Sequence, residues 1–375
     1  MEAYLDNAST TKVCESALRA AEEAMTAVYG NPSSSHRLGR EAKRLLEDSR
    51  KAIADTIGAS ADEVYFTSGG TESDNWALFG AAEAMKTCGK HIVSSLTEHD
   101  AVLKPLEILE SRGFEVTRLR PSELTAEAVL NAVREDTVLV SLMLVNNETG
   151  AVTDIEAISK ALRKSGSGAL LHTDAVQGYL KMPLDIRKLG AELMSLSAHK
   201  IHGPKGAGAL YVKRGTKLPA IIFGGGQENG LRSGTEALPQ IAAFAAAASE
   251  GFSQMQSSVA EMRGLREYAV LRLSSENPGL VVNGGDSPHI LSVALPGYKS
   301  EVLLNYLDAR GVYVSKGSAC KKGARSHVLE AMGLPNDVID GTIRISLSRF
   351  TTREEISYFC DVFRSAREDI LPVRR

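Results

Sequence analysis

The stretch Ala169-Leu170-Leu171-His172-Thr173-Asp174-Ala175-Val176-Gln177 decides the fold. It is a short apolar run that ends in a carboxylate. A second such run, Leu193-Met194-Ser195-Leu196-Ser197-Ala198-His199-Lys200, ends in a lysine. Working outward, strand-like and helix-like stretches alternate. Strands are predicted over 63–67, 91–95, 115–119, 137–145, 169–174, 193–196 and 208–212. Helices are predicted over 73–85, 101–112 and 155–164. The run over 137–145 is continuously apolar, as in a strand covered on both faces. Two helices, 15–29 and 37–57, come first. In the second, Ala42, Leu45, Leu46, Ser49, Ile53 and Ile57 recur at helical spacing and mark a buried face. Between them, Gly30-Asn31-Pro32-Ser33-Ser34-Ser35-His36 has loop chemistry.

This alternation argues for an α/β fold with a mostly parallel central sheet flanked by helices. A long helical region over 238–275 follows. Beyond it, strands at 281–283, 290–294, 312–315 and 342–346 mix with helices at 300–310 and 353–370. The expected division is a large domain over 14–254 and a smaller α+β domain built from 1–13 with 255–375. The boundary falls in the long helix near Met255.

The chain of 375 residues has a formal net charge of −3, with 43% hydrophobic and 24% charged residues. Those proportions suit a soluble globular protein, and the length exceeds what one compact core usually takes. Near-neutral charge gives no electrostatic reason to expect nucleic acid or an anionic membrane as partner. The longest apolar runs, 241–248 and 138–145, fall far short of the ~18 residues that span a bilayer. No basic-then-apolar leader opens the chain. Cys14, Cys88, Cys320 and Cys360 are scattered, with no CxxC and no histidine at metal spacing. A disulfide scaffold, a zinc finger and a metal centre are therefore not expected, and the chain reads as a reduced, cytoplasmic protein.

Thr67-Ser68-Gly69-Gly70-Thr71-Glu72-Ser73 lies between a strand and a helix, where small residues and free N–H groups can cradle a phosphate. The plainer reading is a turn with Thr71 as N-cap and Asp74 as its N3 partner. No GxxxxGK[ST] is present, and the glycines at 203, 206 and 208, or 224, 226 and 230, do not form GxGxxG at a strand-to-helix step. Asp174 ends a strand, where open α/β sheets bind ligands, and Lys200 follows the next one. A phosphate turn, a strand-end carboxylate and a strand-end lysine together are the parts a pyridoxal phosphate enzyme needs.

Nine segments, in order, carry a resemblance over essentially the whole chain. They are Tyr4-Leu5-Asp6-Asn7-Ala8-Ser9-Thr10-Thr11, Asn31-Pro32-Ser33-Ser34-Ser35-His36, Ser68-Gly69-Gly70-Thr71-Glu72-Ser73, Thr97-Glu98-His99 and Val145-Asn146-Asn147-Glu148-Thr149-Gly150. Ser197-Ala198-His199-Lys200, Arg232-Ser233-Gly234-Thr235, Gly317-Ser318-Ala319-Cys320 and Arg344-Ile345-Ser346-Leu347 complete the set. The sequence resembles the cysteine desulfurases of the class-V aminotransferase family, pyridoxal-phosphate enzymes of fold type I.

The resemblance implies that Lys200 is the Schiff-base lysine and proton shuttle. Asp174 would pair with the pyridinium nitrogen, Gln177 with the ring hydroxyl, and His99 would stack on the ring and help move protons. Gly70, Thr71, Ser197 and His199 would hold the phosphate, with Thr235 reaching across from a second subunit, which implies a homodimer. Asn147, beside the cofactor, and Arg344 would fix the substrate carboxylate. Physically, a bidentate Arg–carboxylate pair is a good device for orienting an amino acid. His36, His202 and His327 gain no such role.

Cys320 selects the reaction. It lies in Lys316-Gly317-Ser318-Ala319-Cys320-Lys321-Lys322-Gly323, where flanking glycines suit a mobile loop and nearby lysines favour thiolate. The expected activity is conversion of L-cysteine to L-alanine, with a persulfide on Cys320 passed to a protein sulfur acceptor, iron–sulfur cluster assembly being one such task. The alternatives are a selenocysteine lyase or another class-V aminotransferase or lyase. The pattern departs from the family at Lys316, Lys321 and Lys322, where serines are common, at Asn229 in place of Arg and at Phe223 in place of His. It also lacks the extended tail after Arg375. These departures bear on which acceptor receives the sulfur.

Overall fold

The computed structural model describes residues 1–316 and 325–372. They fall into two compact units. The larger comprises Lys12–Leu144 and Thr153–Gln254; the smaller comprises Met1–Thr11, Val145–Val152 and the residues from Met255 onward.

In the larger unit the strands are β1 (Val64–Thr67), β2 (His91–Ser95), β3 (Glu115–Leu119), β4 (Thr137–Ser141), β5 (Leu170–Asp174), β6 (Leu193–Ser197) and β7 (Gly208–Val212). They form one seven-stranded sheet in the order β1-β7-β6-β5-β4-β2-β3. Strands β3, β2, β4, β5 and β6 are parallel, whereas β7 runs antiparallel to both β6 and β1. Two reversals leave β1 pointing the same way as β6. The C-terminal ends of β1, β2, β4, β5 and β6 therefore share one edge, the edge at which sheets of this kind bind ligands.

The helices follow from spacing and caps. In Arg37–Ile57 the buried residues include Ala42, Leu46, Ser49, Ile53 and Ile57. His36 caps its start, its side chain accepting from Gly39 N, and Gly58 ends it at φ 71°. That left-handed position suits glycine. The alanine-rich helix Leu238–Ser253 buries Phe244 together with Ala243, Ala247 and Ala248, whose small side chains allow close packing against Glu15–Thr26 and Arg37–Ile57.

Three sequence expectations change. The helical region over 238–275 is two helices, Leu238–Ser253 and Met255–Glu276, broken at Gln254 where the units also divide. The strand expected over 137–145 pairs as β4 only to Ser141. Its continuation stays tied through Leu142 N to His172 O at 3.1 Å and Leu144 N to Asp174 O at 2.9 Å. The chain then leaves the sheet, so Val145–Val152, placed by sequence inside 14–254, belongs with the smaller unit. The helix expected over 73–85 begins at Gly70 with Gly69 as N-cap, not Thr71. Gly69 takes φ +149°, a conformation open to glycine, and Thr67 Oγ1 meets Ser73 Oγ at 2.8 Å across the turn.

In the smaller unit, Ile290–Ala294 pairs antiparallel with Thr342–Ser346 and with Val281–Val282. Ala3–Tyr4 pairs parallel with Val312–Tyr313. Leu5, Leu291, Val293, Ile343, Ile345, Phe359 and Phe363 form the middle of its core. The N-terminal residues are stitched to Thr342–Ser346: Asn7 Nδ2 donates to Ser346 O at 2.9 Å and Ala8 N to Ser346 Oγ at 2.8 Å.

Candidate active site

At the ligand-binding edge of the sheet, β5 delivers Asp174 and β6 delivers Ser197, followed by the turn Ala198–Lys200. From β2 the chain runs to His99, and from β1 to Gly70. Asp174 is buried, and its Oδ1 accepts from Val176 N at 2.9 Å. Burial raises its pKa, while the Val176 N–H and the charges of His99 and Lys200 act in the opposite direction. Asp174, His99 and Lys200 thus share one electrostatic neighbourhood. His99 caps the helix Asp100–Ser111, its Nδ1 accepting from Ala101 N at 3.1 Å. With Nδ1 committed as an acceptor, the neutral ring carries its proton on Nε2.

The turn into Gly70–Ala84 is closely framed. A Cβ on Gly70 would meet Val176 Cγ2 at 2.8 Å and Ser197 Cβ at 3.8 Å, and one on Gly208 would meet Gly69 Cα at 2.6 Å. A Cβ on Gly69 would meet nothing within 4 Å, so that side of the turn is open. Ser197 is 1% exposed and its Oγ has no hydrogen-bond partner. An orphaned buried hydroxyl next to the first turn of a helix, whose N–H groups lack intrahelical acceptors, is what an anion such as a phosphate would complete. His199 follows Ser197; burial first, then Lys200 and Lys205, push its pKa down to about 4, so it is neutral near pH 7. Gln177 is buried, whereas Thr71 and Thr235 are exposed. The orphaned Ser197 hydroxyl beside an open helix start, and a buried Asp174 carboxyl near the Lys200 charge, are the chemistry that pyridoxal phosphate would need from a protein.

Sequence reasoning missed a polar layer beneath Asp174. His172 lies two residues earlier on β5, hence on the same face. It contacts Ser141 Oγ through Nδ1 at 2.8 Å and Ser195 Oγ through Nε2 at 3.1 Å, and Nε2 is 3.6 Å from Asp74 Oδ1. Burial lowers the His172 pKa to about 3, so this approach joins neutral groups and is no ion pair at neutral pH. Asp74 is held well above the usual carboxylate range, by burial first and then by Asp174. The Val176 N–H and the Lys200 charge act at Asp174, so the negative charge stays there and the proton on Asp74. The strand period of two was the signal that could have found His172.

Glu98 is the third buried carboxyl. It accepts from Ser95 Oγ at 2.6 Å and Met143 N at 3.1 Å, and burial raises its pKa from 4.5 to about 8. Folded protein keeps this proton over a range where unfolded chain has lost it, so the group costs stability as pH rises from 4.5 toward 8. Glu98→Gln, which keeps the acceptor oxygen, is expected to gain more thermal stability at pH 8 than at pH 5. The difference has an upper bound on the order of 4 kcal/mol. Equal melting shifts at the two pH values would contradict this.

In the smaller unit, Arg344 is 2% exposed. Its Nη1 donates to Asn147 O at 2.8 Å, and its Nη2 to Asp6 Oδ1 at 2.8 Å and Ser9 Oγ at 2.7 Å. Its Nε is buried without a partner, a donor left for a ligand. Asn146 builds the adjoining turn, its Oδ1 accepting from Glu148 N and Thr149 N, which leaves the neighbouring Asn147 as the residue fastened to Arg344. Asp6 and Ser9 were legible only as motif letters, because a contact across 338 residues leaves no local trace. Cys320 lies outside the described residues.

The family pattern described as aminotransferase class-V matches residues 3–359. The chain is 40% identical over 369 residues to a cysteine desulfurase IscS of Dictyoglomus turgidum, covering 96% of this chain and 93% of that one. It is 43% identical over 380 residues to a cysteine desulfurase IscS of Serratia proteamaculans, covering 97% and 92%. Among solved structures, one titled NifS-like protein superposes with a TM-score of 0.93 at 36% identity, covering 99% of this chain and 100% of that one.

Proposed function

Because this chain belongs to the class-V aminotransferase family, we infer that it is a pyridoxal-phosphate-dependent cysteine desulfurase, taking sulfur from L-cysteine and leaving L-alanine. The observation that carries this reading is the buried Asp174 carboxylate, tied to Val176 N and acted on by His99 and Lys200. When bound, the cofactor supplies an aldehyde that joins an amine and a protonated ring that draws electrons from the substrate α-carbon.

The chain's own residues do the rest. Asp174 keeps the ring nitrogen protonated. It can do so because Asp74 and Glu98, buried near it, hold protons instead of competing for the charge. Lys200 offers the amine and moves the proton at the substrate carbon. His99 presents Nε2–H as a donor, fixed by the bond at Nδ1. Arg344 and Asn147 take the substrate carboxylate, with Asp6 and Ser9 holding the guanidinium plane.

The proposal places the persulfide on Cys320, for onward transfer to a protein acceptor. It also has Thr235, exposed here, completing the phosphate site of a second copy in a homodimer. Three free cysteines among the described residues, Cys14, Cys88 and Cys360, support a reducing compartment such as the cytoplasm. Among the described residues no helix is long and apolar enough to cross a membrane. The test is product analysis with L-cysteine. Alanine formed in step with sulfide supports the reading, and a 2-oxo acid overturns it in favour of transamination.

A further inference from the structure

Glu72 follows Gly70 and Thr71 in the first turn of Gly70–Ala84. Its carboxylate accepts from Ser68 N at 2.9 Å and is gripped by Arg232 at two points, Nε to Oε1 at 2.8 Å and Nη2 to Oε2 at 3.1 Å. The two side chains are 12% and 22% exposed. Burial acts to raise the Glu72 pKa, but the bonds from Arg232 and Ser68 outweigh it, so the carboxylate is ionised. A carboxylate is welcome at an empty helix start. Beside a phosphate dianion the same charge is repulsive, and in a partly buried setting water screens it little.

Arg232 sits on an arm that is itself fixed. Ser233 N donates to Ile222 O at 3.1 Å, and Gly234 N to Gln227 Oε1 at 2.9 Å. Glu228, buried, takes Arg50 at 2.6 and 2.7 Å and Phe66 N at 2.9 Å. The arm thus brings its guanidinium to Glu72 in a set geometry. The orphaned Ser197 Oγ is the independent sign that an anion belongs at this turn.

We propose that Arg232 is a positioning residue for the cofactor phosphate, which by pairing with Glu72 cancels the one carboxylate in the turn that would repel it. The inference rests on the pyridoxal-phosphate reading above and deepens it. Its signature is selectivity: Arg232 matters for a ligand bearing phosphate and little for the same ring without one.

Full-length protein stripped of cofactor is titrated with pyridoxal phosphate and with pyridoxal, followed by visible absorbance. Arg232→Gln is expected to weaken pyridoxal phosphate by about tenfold or more while changing pyridoxal by less than about threefold. Glu72→Gln is expected to bind pyridoxal phosphate at least as tightly as the parent. The double variant, neutral at both positions, is expected to recover most of the affinity. Equal losses for both ligands, or a loss undiminished in the double variant, would make the pair a mere fold element and overturn the proposal. If Arg232→Gln does not fold, Glu72→Gln decides alone, since weaker phosphate-ligand binding there overturns it. A parent that binds no pyridoxal phosphate would instead sink the functional reading on which this one stands.

Discussion

Lys200→Ala is expected to turn over L-cysteine at no more than about a thousandth of the parent rate, because on the proposed reading it removes both the anchoring amine and the group that moves the α-proton. The position argues for so large an effect. Lys200 closes the turn that follows β6, next to Ser197 and His199, and its charge reaches the buried Asp174. Borohydride reduction of the parent, followed by peptide mass mapping, is expected to fix the cofactor on the peptide carrying Lys200. A useful control is internal: Lys181 is buried in the same unit, whereas Lys200 is half-buried. Capture on Lys181, or near-normal turnover by Lys200→Ala, would refute the assignment.

The second large effect concerns Cys320. Cys320→Ser is expected to keep cofactor and bind L-cysteine, yet lose sulfur release by at least about a hundredfold. On the proposed reading, the Cys320 thiolate would attack the sulfur of bound cysteine, forming a sulfur–sulfur bond as the carbon–sulfur bond breaks and the carbon fragment takes a proton to become alanine. The sequence places lysines at 316, 321 and 322, whose charge would favour the thiolate. Two of the other thiols are poor candidates: Cys360 is buried, which pushes its pKa up to about 12, and Cys14 is buried as well, whereas Cys88 is exposed in the turn after Gly70–Ala84 and is the accessible competitor. Persulfide mapping after exposure to L-cysteine checks this, and a persulfide on Cys88 in the parent would contradict it.

The strands were readable because β4, β6, β7 and Ile290–Ala294 are short, mostly apolar runs with clear punctuation, and Thr342–Ser346 alternates apolar with polar residues. The parts of the site at strand ends, Asp174 and Lys200, were readable for the same reason. What sequence missed depends on tertiary pairing. The Gly69 N-cap is set by the close approach of Gly208, which no local pattern encodes. The departure of Val145–Val152 from the sheet is invisible in an apolar run that continues through Leu144. Asp74 and Glu98 look like ordinary helix-start carboxyls, and only burial turns them into proton holders. Glu72 and Arg232 were both quoted as motif residues, but their two-point pairing spans 160 positions.

The stitching of Asp6 and Ser9 to Arg344 also has a meaning for how the molecule is made. Residues 12–254 contain the whole of the larger unit, with 145–152 the stretch among them that belongs to the smaller one, and can collapse while synthesis continues. The guanidinium clamp cannot close until the ribosome has released the chain past Ser346, so Asp6 must wait for a partner made 338 residues later. The fixing of the Arg344 guanidinium is thereby a late event in the making of the newborn protein.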